Sequence, residues 1–368
     1  MSLRDIAEQR HVIVCTGSGG VGKTTTAAAL AVIAATAGRR TIVVTIDPAR
    51  RLAQSLGLSA LDNEPRPVKG VPGLDAMMLD MKATFDQVVD RHAPSPSAAE
   101  RIKGNRFYRQ MSDTLAGTQE YMAMEKLFDL HSGGNYDCIV VDTPPTRNAL
   151  DFLDAPKRLT DFLEGRFLKM FMAPGLHAGR VVGKAVGFGA TLFMRTAQRI
   201  TGAGVLGDLA EFFHAFDGMY EGFKNRAQAV YRLLQSPESA FVVVASPEPS
   251  ALREARYFLQ RLAKDGMPTA GLVVNRVTPP APQGLVGTDP AHIAATAAAL
   301  ADGGPEARAA AALLRLHLAR TGDVEREGKA VAAALYGLTV PVVVEVPLFD
   351  GDVRDLAALR AVSVDLAG

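Results

Sequence analysis

The stretch TGSGGVGKTT, Thr16 to Thr25, lies between an apolar run, HVIVC, and an alanine-rich helical pattern, TAAALAVIAAT. Gly17 to Thr24 fits G-x-x-x-x-G-K-[ST]. The physical reason for that pattern is a phosphate. Glycines let successive backbone N–H groups turn inward without a Cβ in the way, and the following helix start adds partial positive charge. Lys23 reaches the outer phosphates, and the Thr24 hydroxyl is placed to ligate Mg²⁺. A strand before the loop and a helix after it are the context this motif requires, and a chance glycine-rich turn would have neither.

Working outward, short apolar runs recur with helical patterns between them. HVIVCTG, TIVVTID, LDAMMLD, DCIVVD, AFVVVAS, GLVVN and VPVVVEVP all read as strands buried on both faces. Strands alternating with helices predict an α/β fold with a mostly parallel twisted sheet flanked by helices. Two strand-free stretches interrupt the alternation, residues 81–137 and 151–237. They read as helical subdomain material inserted into the α/β body. Thr278 to Pro290 reads as a loop, followed by alanine-rich helix to Leu335 with a break near Gly303 and Gly304.

The 368 residues suffice for one large or two ordinary domains, and 48% are hydrophobic, enough for a sizeable core. Forty basic residues against 39 acidic give a net charge of +1. No global field then favours nucleic acid or an anionic membrane, and no nucleic-acid partner is expected. The two cysteines, Cys15 and Cys138, sit in apolar runs and read as small core residues. They form no C-x-x-C, so neither a zinc site nor an iron–sulfur cluster is expected. MSLRDIAEQR has no apolar signal core, and the aliphatic stretch Ala27 to Ala37 is too short for a bilayer. The expectation is a cytoplasmic protein without an integral membrane segment.

Two aspartates close strands. Asp142 ends DCIVVD, where an acid beside the P-loop can enter the Mg²⁺ shell. Asp47 ends TIVVTID before Pro48. That is an ordinary helix start, and also an acid at the carboxyl edge of a strand, where ligands bind in such sheets.

These segments together resemble the ArsA family, the arsenite-pump ATPases and the tail-anchored-protein targeting ATPases. The family P-loop, G-K-G-G-V-G-K-T-T, differs from Gly17–Thr25 only at Ser18. Its switch I segment D-P-A matches Asp47-Pro48-Ala49. Its switch II segment D-T-A-P-T-G-H-T-L-R-F-L matches Asp142 to Leu153, with Pro144, Arg147, Asn148, Ala149 and Asp151 differing. Pro247-Glu248, Val274-Asn275 and VPLFDGDVRDL (Val346 to Leu356) resemble later nucleotide-side segments in the family's order.

The resemblance implies a dimeric, Mg²⁺-dependent ATPase with nucleotide-operated switches. Residues 1–80 and 138–150 would then carry the P-loop, switch I and switch II of the ATPase core, and 238–368 its C-terminal part. Residues 151–237 would be the part that binds a protein client or membrane partner. By position, Gly19, Gly20, Val21, Gly22, Lys23, Thr24 and Thr25 would hold phosphate, and Thr24 and Asp142 the metal. Lys23, Asp47 and Asp142 would be catalytic, with Asp47 orienting the attacking water. Asn275 would read adenine through its amide, or serve as a strand-end turn residue. Pro347 and Leu348 would pack on the base.

Ser18 departs from a family lysine that crosses a dimer to the partner's site. A homodimer would lack both crossing charges, whereas a heterodimer with a lysine-bearing relative would retain one. A nucleotide-binding regulatory subunit with little hydrolysis is the alternative reading. Arg147, at a family glycine, reads either as a local cation or as a solvated surface residue. Gly175, Gly179, Gly183 and Gly187, four apart, read either as a helix-docking face or as a mobile loop. The apolar residues around Phe171 and Phe193 read first as core, and otherwise as a client groove.

Overall fold

The computed structural model describes residues 2–46, 51–93, 95–105, 108, 118–144, 222, 225–279, 288–349 and 351–367. Their order is α1 (Leu3–Gln9), β1 (Val12–Gly17), α2 (Lys23–Thr36), β2 (Thr41–Thr45), α3 (Arg51–Ser55), β3 (Arg66–Pro67) and β4 (Leu74–Met78). Then come α4 (Met81–His92), α5 (Pro96–Gly104), α6 (Thr118–Ser132) and β5 (Cys138–Asp142). The rest is β6 (Ser239–Ala245), α7 (Pro249–Lys264), β7 (Thr269–Val277), α8 (Pro290–Leu300), α9 (Pro305–Leu335), β8 (Val343–Pro347) and α10 (Leu356–Ala367).

The eight strands form one sheet in the order β3-β4-β2-β5-β1-β6-β7-β8. Every pairing is parallel except β3 with β4. The chain therefore enters at a central strand, winds outward to β4, returns through β5 and winds out the other way. Such a reversal leaves a crevice at the carboxyl ends of the central strands, and the P-loop leaves β1 there.

Side-chain alternation along each strand splits the interior in two. Val12, Val14, Ile42, Val44, Ile139 and Val141 face one core, shared with α4, α6 and α7. Ile13, Cys15, Val43, Val140, Val242 and Val244 face the other, shared with α1, α2 and α10. Each large aliphatic side chain so buried contributes about 1.5–3 kcal/mol. Helix α2 is buried from Thr26 to Ala35, which explains its apolar composition all round. Helix α10 lays Leu359, Val362 and Leu366 against this core.

The edge differs from expectation. VPVVVEVP does form β8, but Val343 is 42% exposed and Glu345 is exposed. β8 has a ladder partner on one side only, β7, and of its side chains Val346 alone is fully buried. A short antiparallel strand, β3, caps the other edge. The alanine-rich segment breaks between α8 and α9 at residues 301–304, as its glycines predicted. Helices α4, α5 and α6 lie between β4 and β5, and a buried Arg226–Glu125 pair at 2.8 Å ties α6 to helical residues 225–235. Most of 151–237, including the four spaced glycines, lies outside the described residues. Among the described residues no helix is long and apolar enough to cross a membrane.

Candidate nucleotide site

The site is built where β1, β5 and β2 end together. Register places Asp142 level with Cys15 on one side and Thr45 on the other. Strand β5 thus delivers its last carboxylate to the base of the P-loop. Thr24 Oγ1, in the first turn of α2, donates to Asp142 Oδ2 at 2.8 Å, and Thr45 Oγ1 donates to the same oxygen at 2.9 Å. Asp142 is fully buried. A buried carboxylate is tolerated only where donors or a cation meet it, and here two hydroxyls do. Thr143 Oγ1 donates to the Cys15 carbonyl at 2.9 Å, which pins the chain just after Asp142 onto β1.

Two glycines make the loop possible. Gly17 has φ +153°, and a Cβ there would stand 2.0 Å from the Val244 carbonyl oxygen on β6. Gly22 has φ +99°, and a Cβ there would stand 2.1 Å from Asn275 Nδ2. Only glycine supplies both the left-handed backbone and the missing volume. Lys23 is buried, and its Nζ donates to the Ser18 carbonyl at 2.8 Å, folding the ammonium back across the loop. Gly19 and Gly20 are exposed at the top of the arch, while Val21 is packed beneath it.

Asn275 sits at the end of β7, and its Nδ2 donates to the Val21 carbonyl at 2.8 Å. It therefore braces the P-loop from the β7 side. One amide N–H and the amide oxygen remain in its inventory. Pro347 ends β8 half-buried, and Leu348 is 55% exposed, its N–H bonded to the Val277 carbonyl at 2.9 Å. Both stand at the same carboxyl edge as Asn275. Asp47, Pro48, Arg147 and Asn148 lie outside the described residues.

Cys15 and Cys138 are buried in β1 and β5. Burial first, and then the neighbouring Asp142, pushes the Cys15 thiol well up; burial pushes Cys138 up to about 12. Neither is a thiolate at neutral pH.

Thr45 was missed by reading the sequence. Its signal was a lone hydroxyl closing the apolar run TIVV, opposite the acid that closes the neighbouring run.

A family model described as "Anion-transporting ATPase", ArsA_ATPase, matches residues 10–285. The chain belongs to the ArsA ATPase family. The matched span takes in the P-loop, Asp142 and Asn275. Curated relatives agree. "ATPase GET3" of Malassezia globosa is 25% identical over 283 residues, covering 76% of this chain and 77% of that protein. An "ATPase ASNA1 homolog" of Entamoeba dispar is 27% identical over 269 residues, covering 72% and 75%. An "Arsenical pump-driving ATPase" of Acidiphilium multivorum is 28% identical over 275 residues, covering 72% of this chain and 39% of that protein. The family is one of ATP-hydrolysing enzymes, and the chain is an ATPase of this type.

Proposed function

We propose that this ArsA-type ATPase is a Mg²⁺-dependent, dimeric switch whose nucleotide state moves a helical subdomain within residues 151–237, which binds a protein client or membrane partner. The observation that carries the reading is the meeting of Thr24 and Asp142, 118 positions apart, at 2.8 Å on the floor of the P-loop. A hydroxyl and a carboxylate at that separation are a donor set suited to a hard, oxygen-loving cation. Thr24 Oγ1 and Asp142 Oδ2 would hold Mg²⁺, which when bound neutralises charge on the outer phosphates.

The rest is done by the chain's own groups. Backbone N–H groups from Gly19 to Thr25 cradle the phosphates, with Gly22 free to turn because it has no Cβ. Lys23 leaves the Ser18 carbonyl for phosphate when nucleotide enters. Asp47, by family position, orients the attacking water. Asp142 and Thr143 continue directly into switch II, so a change at the terminal phosphate is passed to residues 145–153 through covalent chain rather than through packing. Asn275 fixes the Val21 carbonyl and offers its remaining amide groups to the base, with Pro347 and Leu348 beside it.

Metalloid delivery through cysteine is not supported, because a soft-metal site needs thiolates and both thiols are buried and pushed toward the neutral form. The protein remains cytoplasmic on this reading.

Ser18 favours a second reading, a regulatory subunit with little intrinsic turnover paired with a lysine-bearing homologue. Ser18 carries no charge, and it offers Lys23 only its backbone carbonyl. ATP turnover by the purified chain separates the two. A rate on the order of 1 s⁻¹ or more supports the self-sufficient dimer. Turnover that appears only with a related partner supports the heteromer. In either case Asp142→Asn should abolish turnover while leaving the chain folded. Unchanged turnover in that variant would remove the assignment of the site.

A further inference from the structure

Helices α8 and α9 lie between β7 and β8 in the chain, beyond residues 10–285 that the family model matches. They pack on each other, and α9 also rests on α7. Their outward surface is unusual for helices on a globular body, which ordinarily turn charged and polar side chains to water.

On a wheel of about 100° per residue, Ala309, Ala312, Leu313, Leu316 and Ala319 fall on one stripe of α9. All five are exposed, the two leucines by more than half. The packing face of this half of the helix lies on the other side, where Ala311 is buried. The first half of α9 therefore carries a second apolar face, turned to solvent.

The charges around that face are of one sign. Arg308 and Arg315 flank the stripe, and Arg320 continues it one turn past Leu316. No acid occurs from Ala307 to Gly322; Asp302 and Glu306 precede this stretch and Asp323 follows it. Helix α8 contains no Asp, Glu, Lys or Arg. None of the three arginines forms an ion pair with a described residue. Arg308 donates Nη1 to the Gly303 carbonyl at 2.9 Å, across the turn from α8, and keeps its charge.

The second half of the same helix is different. Asp323 pairs with Arg326 and Glu325 with Lys329. Glu327 accepts from the Thr278 backbone N–H and hydroxyl, both at 2.8 Å, which clamps α9 to the chain just after β7. One helix thus has an anchored half whose charges are paired and a projecting half whose cations are unspent.

An apolar stripe edged by cations fits a partner with an apolar interior and an anionic surface. Lipid and an acidic protein groove both offer these, and shape separates them. The stripe is convex and mostly alanine, with no aromatic anchor to fill a pocket on a protein. A bilayer conforms to a helix lying in its plane, takes shallow apolar side chains and leaves arginine heads among the headgroups. We propose that Ala307 to Gly322 is a docking surface for an anionic membrane, on which α9 lies in the interface with Leu313 and Leu316 dipped between headgroups. The net charge of +1 does not oppose this, because each charge acts within a screening length of about 8 Å. The inference is independent of the switch reading. Through Glu327 and Thr278, docking also holds the end of β7 in a fixed attitude to the membrane.

The test is flotation of the full chain with vesicles of phosphatidylcholine alone or with about one-third phosphatidylserine. The chain should float with the anionic vesicles only, and less as salt is raised. Arg315→Gln and Arg320→Gln should each weaken binding about fivefold. Lys329→Gln, on the same helix beyond the acids, should leave it unchanged. The chain has no tryptophan, so Leu316→Trp reports on the stripe alone, and its emission should shift to the blue on anionic vesicles. A native chain that floats with neither vesicle, or equally with both, overturns the proposal. So does an Arg315→Gln, Arg320→Gln chain that binds as the native one does, or a tryptophan at 316 that never leaves water. Retention on polyglutamate without vesicle binding marks an acidic protein partner instead. Leu313→Ser with Leu316→Ser that changes sedimentation of the chain, again without vesicle binding, marks a second copy. Either result overturns the membrane proposal and leaves the nucleotide site untouched.

Discussion

Helix α2 and helix α9 are both alanine-rich, yet they lie at opposite extremes of burial. α2 is buried from Thr26 to Ala35 between the sheet, α1 and α10. α9 runs 31 residues from Pro305 with only Ala311 and Val331 buried, and Leu313 and Leu316 stand 67% and 57% exposed. Alanine content is therefore not what distinguishes the helix that supports the site. Position is. α2 starts at the end of the central strand β1 and must be covered on all sides, while α9 packs on α8 and α7 at the margin. Rigidity of the P-loop follows from this, because its last residues are the first turn of the most enclosed helix.

The comparison is broken most directly by one substitution in each helix. Leu30→Ala, at a site with no exposure, should cost about 2–5 kcal/mol of stability. Leu313→Ala should change stability by no more than about 0.5 kcal/mol. Guanidinium denaturation of both variants measures the contrast. Equal losses would mean that α9 is covered in solution.

Gly22→Ala probes the junction between α2 and the right-hand half of the sheet. The added methyl would meet Asn275 Nδ2 while φ stays at +99°. A loss of about 1–3 kcal/mol is expected, as for other overpacked sites, together with loss of ATP-analogue binding. Asn275→Ala in the same chain removes the collision but not the backbone strain. It should recover part of the stability and none of the binding. Full recovery of binding would show that the Val21 brace is dispensable.

How much of this was legible beforehand follows the same division between centre and edge. HVIVC, TIVVT and CIVVD announce strands because each is short, apolar and closed by a turn or an acid, and the P-loop motif states its own context. Asp142 was recoverable because the chemistry of a P-loop demands an acid on the adjoining strand. VPVVVEVP looked the same as these and became a half-exposed edge, since an apolar run records what a strand is made of and not how many neighbours it has. Thr45 was harder to read for a related reason. Its role comes from register, level with Asp142 across β2 and β5. Register is a property of two strands, and no single stretch of sequence contains it.

The smallest effect lies at the opposite end of the central strands. Arg40, just before β2, and Asp137, just before β5, are joined by an Nη2–Oδ1 contact of 2.7 Å, and the Arg40 backbone N–H donates to Asp137 Oδ2 at 2.9 Å. The side-chain bond from Arg40, and then its backbone N–H, holds the Asp137 carboxyl at about 2, below its ordinary 3.8. The sign follows from proton linkage. A carboxyl depressed in the folded state contributes stability that is complete above about 3.8 and is lost as pH falls toward 2. Both side chains are well exposed, 59% and 41%, so the contribution at neutral pH is small. Asp137→Asn should therefore lower the denaturation midpoint slightly at pH 6. That deficit should shrink as pH is taken from 4 down toward 3, where the native carboxyl begins to lose its advantage. A deficit that stayed constant over this range would mean that the loss comes from hydrogen-bond geometry that asparagine fails to reproduce, and that the Asp137 charge adds nothing to the base of the sheet.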